Sequence, residues 1–267
     1  MKIFDAHVHS IFHLKRMYKL ASESNVNFSL AGLKDEMGKN NVIMAAVITN
    51  DRDDETPLSL NFILEQTKNN PDLVAVCGIN PKKMADENLT LLENAIKSGS
   101  VRGIKIYLGY YPFYPYDPIY DKVYKIAEKF SCPVIFHTGD IADKGGLVKY
   151  AHPLCVDEVA VKYPKVNFVL AHAGNPWIMD AAEVAFKNDN VLIDLSGFHV
   201  GNQTRSKFLE NELKLAYEYV ANPEKFLYGS DWPYIGMKNY IEFIKRIIPA
   251  KDHSKVFFDN AKRIFNL

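Results

Sequence analysis

The stretch IYDKVYKIAEKFSCPVIFH, residues 119–137, contains one complete unit of the predicted fold. Its first part, residues 119–130, is typical of an amphipathic helix, because apolar side chains recur at helical spacing along one stripe. These side chains are Ile119, Val123, Ile126, Ala127 and Phe130. Its second part, PVIFH at 133–137, is a short apolar run typical of a buried strand. The stretch therefore predicts a helix followed by a strand that ends in His137.

Similar short apolar runs recur along the whole chain. They are KIFDAH (2–7), NVIMAAVIT (41–49), LVAVCGI (73–79), VRGIKIY (101–107), PVIFHTG (133–139), VNFVLAH (166–172), NVLIDLSG (190–197) and KFLYGSD (225–231). The intervals between them have room for a helix and two loops, as in βα units with a parallel sheet. We therefore predict an α/β fold, a (β/α)8 TIM barrel formed by residues 1–267 as a single domain. An open, doubly wound sheet is the alternative.

The composition is that of an ordinary globular protein and narrows the class of partner. Of 267 residues, 48% are hydrophobic, and 32 basic residues balance 32 acidic ones. A neutral chain argues against a general nucleic-acid or membrane-surface binder, because such proteins usually carry a basic excess. The three cysteines lie far apart, and the first residues do not resemble a signal peptide. We expect a cytoplasmic protein that binds neither nucleic acid nor membrane.

Polar residues alternate in the first strand. Asp5, His7 and His9 are two residues apart, so an extended strand directs all three to one side. The other side would then carry Phe4, Ala6 and Val8. Polar groups that face a core are costly to bury without partners, and a divalent cation is a suitable partner for two imidazoles and a carboxylate.

Other strands also end in polar residues. Lys105 and Tyr107 end the fourth strand, His137 the fifth, His172 the sixth and Asp231 the eighth. The carboxyl ends of barrel strands open onto one face, where the active sites of this fold lie. Any one of these histidines could be an ordinary hydrogen-bonded side chain. Together with His7 and His9, however, they predict a metal site at this face.

Four motifs of the chain resemble those of a known protein family. FDAHVH (4–9), VIFHTGD (134–140), FVLAHAGN (168–175) and LYGSDWP (227–233) are similar to motifs of the amidohydrolase superfamily. The similarity is greatest to its amidohydrolase-related branch, which includes the aminocarboxymuconate-semialdehyde decarboxylase-like proteins. The resemblance implies a distorted barrel with one divalent metal ion, usually zinc, and no organic cofactor; manganese also suits these ligands. It further implies that His7, His9, His137 and Asp231 bind the metal and that His172 lies beside the metal-bound water or the substrate.

Such a site favours metal-assisted hydrolysis. Zinc lowers the pKa of its bound water to about 7, Asp231 can carry protons, and His172 can orient the water or stabilise an oxyanion. We therefore expect first a hydrolase of a small lactone, ester or amide that carries a carboxylate. A non-oxidative decarboxylase of an aromatic or unsaturated carboxylic acid is the alternative, and a non-catalytic metal-binding barrel is a further one. A phosphoesterase and a deoxyribonuclease fit less well, because the additional ligands they need are missing.

Candidate substrate-binding residues are Lys105, Tyr107 and Arg205. Lys105 has three possible roles: binding a substrate carboxylate, bridging two metals as a carboxylated lysine, or forming a buried ion pair. Arg205 follows the seventh strand together with His199 and Asn202, where it could bind an anion or simply lie at the surface. The aromatic loop 108–118 forms either a wall of the pocket or packing on the rim, and Asp194 and Ser196 are candidate supports for the ligands. A small-molecule substrate and a possible homodimer complete the expectations.

Overall fold

The computed structural model describes residues 1–10, 12, 15–49, 60–198 and 203–267. Within these residues, parallel strands form one eight-stranded sheet whose spatial order follows the chain. The strands are β1 Ile3–His9, β2 Val42–Ile48, β3 Leu73–Ile79, β4 Gly103–Ile106, β5 Val134–His137, β6 Phe168–Ala171, β7 Val191–Asp194 and β8 Phe226–Leu227. This order confirms the predicted (β/α)8 barrel. The doubly wound alternative is wrong, because its strand order would reverse along the sheet.

Helices follow every strand, and all except the last helix, which closes the bottom of the barrel, pack on the outer side of the strands. They are α1 Lys15–Glu23, α2 Leu30–Lys39, α3 Leu60–Lys68, α4 Asp86–Lys97, α5 Asp121–Phe130, α6 Cys155–Lys162, α7 Ile178–Lys187, α8 Gln203–Val220, α9 Met237–Ile247 and α10 Asn260–Ile264. The helix predicted over 119–130 is α5, which follows a short 3₁₀ turn at Pro118–Tyr120 and buries Val123, Ile126 and Ala127. Among the described helices, none is both long and apolar enough to cross a membrane.

The lower half of the barrel interior is apolar and is closed by the C-terminal helix. The inward side chains there include Phe4, Ala6, Ala46, Ile48, Val74, Val76, Ile135, Val169, Leu192 and Leu227. Ile264 and Phe265, from the end of α10, pack into the same cluster, and the rings of Phe4 and Phe265 stack with centroids 5.5 Å apart. Because Ile264 and Phe265 close this end of the barrel, its open face is at the carboxyl ends of the strands.

Strand β1 contains a register shift between Asp5 and Val8, where its pairing with β2 slips by one residue. Phe4 and Ala6 belong to the apolar interior, whereas Val8, after the shift, packs among the outer helices. An extra residue in one strand turns the following side chains to the opposite face. The prediction that Phe4, Ala6 and Val8 share one face is therefore wrong.

The same shift separates Asp5 from the two histidines. Oδ1 of its buried carboxyl accepts the backbone N–H of His7 at 3.1 Å and that of Ser230 at 2.9 Å. Burial raises the pKa of Asp5 to about 7, against the hydrogen bonds that lower it. The prediction of three polar side chains on one face is wrong for Asp5, which links the backbones of β1 and the segment after β8. His7 and His9 reach the interior together.

The barrel closes where β1 meets the segment after β8. Strand β8 is shorter than the predicted 225–231, but the chain beyond it continues to pair with β1. The backbone hydrogen bonds across this seam run from Ala6 N to Tyr228 O (2.9 Å), from Asp231 N to His7 O (2.8 Å) and from His9 N to Trp232 O (2.7 Å). The seam therefore brings the first and last strands of the barrel to one place.

Candidate metal centre and active site

Three buried side chains converge at the open end of this seam. His7, His9 and Asp231 each offer one ligand atom, and the three atoms lie within 4.8 Å of one another. Nε2 of His9 lies 3.1 Å from Oδ1 of Asp231, and Nε2 of His7 lies 3.6 Å from the same oxygen. The structure thus brings together three of the four predicted metal ligands.

Hydrogen bonds to the far sides of the two rings decide which nitrogen faces the cluster. Nδ1 of His7 lies 2.6 Å from Oδ2 of Asp194, and Nδ1 of His9 lies 3.2 Å from the carbonyl oxygen of Ile48. Both oxygens accept, so in each neutral ring Nδ1 carries the proton and Nε2 keeps its lone pair. Carboxylate and carbonyl partners of this kind hold metal-binding histidines in place.

The cluster has the character of a cation site. Nε2 of His7 and Oδ1 of Asp231 are fully buried and have no hydrogen-bond partner among the described residues. Buried acceptors facing one another are costly without a donor or a cation between them. Two imidazole nitrogens and one carboxylate oxygen suit zinc or manganese, so the residues present fit the implied metal.

Protonation also favours metal binding here. Burial, aided by the positive charge of Lys105, holds the pKa of His7 well below its usual range, so this ring is neutral at pH 7. Burial alone would raise the pKa of Asp231, but the contact with His9 and the neighbouring His172 and His7 hold it below its usual range. Metal ligands must be deprotonated, so both side chains are in the required form.

His137, the fourth predicted ligand, lies nearby but outside the group of three. Its Nε2 donates to the carbonyl oxygen of Asp140 at 2.8 Å, which leaves Nδ1 as its acceptor. The ring lies against that of His172, with centroids 4.8 Å apart. Burial, with His172 and Lys105, holds the pKa of His137 well below its usual range. Its role as a ligand stays a prediction.

His172 lies between His7 and His137. Its ring centroid is 5.0 Å from that of His7, and its Nδ1 faces Ser196. His172 and Asp231 both have a left-handed backbone, with φ of 61° and 63°. Residues other than glycine rarely adopt this conformation, and such strain concentrates at functional sites. The two residues predicted to be catalytic thus share an uncommon backbone geometry.

The three predicted substrate-binding residues lie at different depths. Lys105 is fully buried, its Nζ has no hydrogen-bond partner among the described residues, and burial lowers its pKa to about 8 against the pull of Asp194 and Asp231. Tyr107 lines the cavity and donates its hydroxyl to the carbonyl oxygen of Thr49 at 2.6 Å. Arg205 is exposed and also lines the cavity. His199 and Asn202 lie outside the described residues.

The cavity above the cluster has a volume of about 220 Å³ and is partly aromatic. Its lining consists of His9, Met17, Tyr107, Tyr110, His137, Asp140, Ala142, His172, Asn175, Gly197, Phe198, Arg205, Leu209, Asp231 and Tyr234. From the aromatic loop 108–118, Tyr110 contributes to the wall, whereas Tyr114 and Tyr116 stack on each other away from it, 5.0 Å apart. Both interpretations of the loop therefore hold for part of it.

Two glycines that sequence reasoning missed allow the site to close. A Cβ on Gly197, whose φ is +80°, would lie 2.5 Å from Nδ1 of His172 and 3.0 Å from Oδ2 of Asp231. A Cβ on Gly229 would lie 2.6 Å from Oδ1 of Asp194. A glycine next to a polar strand end, as in DLSG and LYGSD, is the available signal, because it often marks a close approach to another group.

Solved structures of similar fold cover 100% of this chain. An uncharacterized TIM-barrel protein from Bordetella bronchiseptica is 18% identical, with a TM-score of 0.78 and 99% of its own chain covered. 5-Carboxyvanillate decarboxylase LigW from Sphingomonas paucimobilis is 16% identical, with a TM-score of 0.73 and 99% covered. 2,6-Dihydroxybenzoate decarboxylase from Rhizobium is 15% identical, with a TM-score of 0.74 and 99% covered. The TM-scores establish a shared fold, and at such low identities the likeness shows the fold alone.

Two further structures of this fold hold a metal. An amidohydrolase from Burkholderia multivorans, 15% identical with a TM-score of 0.70 and full coverage of both chains, has bound zinc. A dihydroxybenzoic acid decarboxylase from Polaromonas sp. JS666, 13% identical with a TM-score of 0.71 and 97% of its chain covered, has bound manganese and the inhibitor 2-nitroresorcinol. The neighbours with a named substrate are thus decarboxylases of aromatic acids. Our first expectation, a hydrolase, is wrong, and the decarboxylase alternative is better supported.

The sequence comparisons decide the family. No curated protein matches the chain. The family model for amidohydrolases, however, matches residues 4–267, and therefore includes all four motifs on which the resemblance rests. The resemblance is confirmed: this chain belongs to the amidohydrolase family of enzymes.

Proposed function

We propose that this protein is a metal-dependent, non-oxidative decarboxylase of an aromatic or unsaturated carboxylic acid, formed by residues 1–267 as one domain. One observation carries the proposal: two buried acceptors without a hydrogen-bond partner among the described residues, Nε2 of His7 and Oδ1 of Asp231, face each other where Asp231 and His9 line a small, partly aromatic cavity. Known decarboxylases of ring-bearing acids share the fold, which supports this reaction class.

His7, His9 and Asp231 would hold the metal, with His137 proposed as the fourth protein ligand. Zinc or manganese fits this donor set. When bound, the ion supplies positive charge that attracts an anionic substrate and withdraws electron density from an oxygen of that substrate. His7 is fixed by Asp194 and His9 by Ile48, so the chain presents their lone pairs before any ion arrives.

The cavity suits one flat ring with an acidic group. Tyr107, Tyr110 and Phe198 line it with aromatic surface, and Arg205 offers a guanidinium that can bind a carboxylate through two parallel hydrogen bonds. The positive charge of Lys105 is buried outside the cavity lining, so we assign it long-range attraction of the acid rather than direct contact. Its role as a carboxylated bridge stays a prediction.

In decarboxylation, a carbon–hydrogen bond replaces the carbon–carbon bond that held the carboxylate. A proton is added to the carbon that bears the carboxylate, the carbon–carbon bond breaks, its electron pair returns to the substrate, and carbon dioxide leaves. Asp231 and His172 both line the cavity and can hold a proton, so we assign proton delivery to this pair. Solvent restores the proton after each turnover, so the net reaction takes up one proton.

The test measures the release of carbon dioxide and the incorporation of a solvent hydrogen into the product. Protein purified without chelator is analysed for metal by elemental mass spectrometry and then incubated in D2O with a panel of single-ring hydroxybenzoic acids. We expect close to one zinc or manganese per chain, release of carbon dioxide from at least one acid, and one deuterium on the vacated ring carbon by NMR. A chelated sample should lose activity and regain it when zinc or manganese is restored.

Two results would contradict this function. Metal-loaded protein that releases no carbon dioxide from any acid of the panel would favour the non-catalytic barrel. Carbon dioxide release without solvent deuterium on the vacated carbon would exclude the proton transfer assigned to Asp231 and His172. The cytoplasmic location and the homodimer stay predictions from the sequence.

A further inference from the structure

We propose that Ser196 is a positioning residue that fixes the proton of the His172 ring on Nδ1 and so turns a proton-accepting Nε2 toward the cavity. The catalytic consequence rests on the proposed decarboxylation, but the placement of the proton does not.

The first step concerns the Asp194 carboxylate. Its Oδ2 is 2.6 Å from Nδ1 of His7 and 2.8 Å from Oγ of Ser196. An ionised carboxylate has no hydrogen to give, so both neighbours must donate to it. All three side chains are almost completely buried, so water does not substitute for these bonds.

The second step concerns the Ser196 hydroxyl. It has one hydrogen, which the bond to Asp194 uses, so toward any other group its oxygen accepts. Nδ1 of His172 lies 3.1 Å from this oxygen and 3.3 Å from the carbonyl oxygen of the same residue. A ring nitrogen that faces two acceptors must carry the hydrogen. The neutral His172 ring is therefore protonated on Nδ1, and its lone pair is on Nε2.

The backbone explains how Ser196 comes so close to the ring. Gly197 follows it with φ of +80°, and any Cβ there would lie 2.5 Å from Nδ1 of His172. His172 itself has a left-handed backbone, as does Ala173 after it. Two uncommon backbone segments, one from each strand end, thus meet at this contact, which points to a constrained arrangement rather than an incidental one.

The arrangement prepares His172 for proton transfer. Since the ring lines the cavity and Nδ1 is held by Ser196, Nε2 is the nitrogen left for the substrate. It can take a proton from solvent and pass it toward the carbon that loses its carboxylate, returning to the neutral ring. While the ring is charged, Ser196 and Asp194 lie on the side opposite the cavity and stabilise that charge through one continuous chain of hydrogen bonds.

The experiment detects which ring nitrogen of His172 carries the proton. Zinc-loaded protein with ¹⁵N-labelled histidine is studied by long-range ¹H–¹⁵N NMR, and His172 is assigned by the signal that His172→Gln removes. We expect a protonated Nδ1 in the wild type and a weaker preference in Ser196→Ala, which keeps only the carbonyl oxygen 3.3 Å away as an acceptor. Oγ of Ser196 also lies 3.1 Å from Nδ1 of His7, so kinetics are compared at equal zinc content, where kcat of the same variant should fall about 10- to 100-fold with KM unchanged. Ser196→Thr, which keeps the hydroxyl, should restore both the proton position and most of kcat.

Ser10→Ala is the matched control. Ser10 is also buried, and it follows His9 at the end of β1. Its hydroxyl, however, donates to Gln66, whereas that of Ser196 donates to Asp194, which is bonded to His7. It should leave the His172 signals unchanged. A wild-type ring protonated on Nε2, or a Ser196→Ala ring with the same share of protonated Nδ1 as the wild type, would overturn the proposal whether or not the protein releases carbon dioxide. A share of protonated Nδ1 that falls in Ser196→Ala, in a protein that decarboxylates nothing, would uphold it and reject only the proposed function.

Discussion

The two halves of the barrel interior are both buried but opposite in chemistry. The lower half, around Phe4, Leu192 and Phe265, consists of apolar side chains that contact one another. The upper half, around His7, Lys105 and Asp231, is polar and contains several atoms without a hydrogen-bond partner among the described residues. Burial stabilises the first group, because apolar surface leaves water. It destabilises the second unless a ligand compensates. The lower half therefore holds the barrel together, and the upper half is arranged for binding at a cost in stability.

The largest expected effect comes from a metal ligand in the upper half. Asp231→Asn removes the charge that two histidine nitrogens face, so metal content should fall and kcat/KM should drop more than about 10⁴-fold, or about 5.5 kcal/mol. The fold should persist, since the lower half is untouched. Elemental analysis, the carbon dioxide assay and circular dichroism measure these three quantities.

Asp140→Asn is the control for this variant. Asp140 is an exposed aspartate that lines the same cavity but lies outside the group of three ligands. Its variant should keep the metal. Equal metal content in wild type and Asp231→Asn would show that the buried cluster is not the binding site.

The second effect belongs to the lower half. Phe265→Ala removes a fully buried ring that stacks on Phe4 and should lower the free energy of unfolding by about 3–5 kcal/mol. Metal stoichiometry and KM should stay unchanged, because no ligand is near this ring. Urea unfolding, with metal analysis of the folded variant, tests whether the two halves are independent. A variant that folds but binds less metal would show that they are coupled.

A slightly smaller effect is expected from Lys105. Its pKa is about 8 in the folded protein, below the value of about 10.4 in an unfolded chain. Between these values the unfolded state binds more protons, so the free energy of unfolding rises with pH. Below pH 8 the buried charge of Lys105 lowers the free energy of unfolding by about 3 kcal/mol. This value is the difference between the two pKa values, converted at about 1.4 kcal/mol per pKa unit.

Lys105→Met should remove that cost. In metal-free protein, the variant should be more stable than the wild type by about 3 kcal/mol at pH 7, and the gain should shrink as pH rises from 8 to about 10.4. Urea unfolding across this range measures both. A wild type that is more stable than the variant at pH 7 would mean that favourable contacts of the Lys105 ammonium, such as those with Asp194 and Asp231, outweigh the cost of its burial.

The sequence predicts the framework well because one physical pattern repeats. Apolar runs must be buried, and helical stripes such as that of α5 must cover them, so the strand positions follow from local pattern. The register shift in β1 could not be predicted, because Asp5 and His7 look alike in an alternating pattern. It depends on how β1 pairs with β2, which is a contact distant in sequence.

The site is predicted in part for a related reason. His7, His9 and Asp231 are polar residues at strand ends, and their meeting follows from the topology of a barrel. The bond between Ser196 and His172, and the space left by Gly197, depend on backbone torsions that no local pattern encodes. The reaction was predicted wrongly at first because hydrolases and decarboxylases share the ligand set, and the difference lies in the pocket.

The seam between β1 and the segment after β8 has a consequence for synthesis of the protein. Asp231 is made 222 residues after His9 (231 − 9). A nascent chain whose Asp231 is still inside the ribosome can offer only His7 and His9 to a metal, and its site is not yet enclosed. The proposed site would therefore take up its metal only after Asp231 has been made. A chain that holds an ion at all three residues would already have joined β1 to the segment after β8.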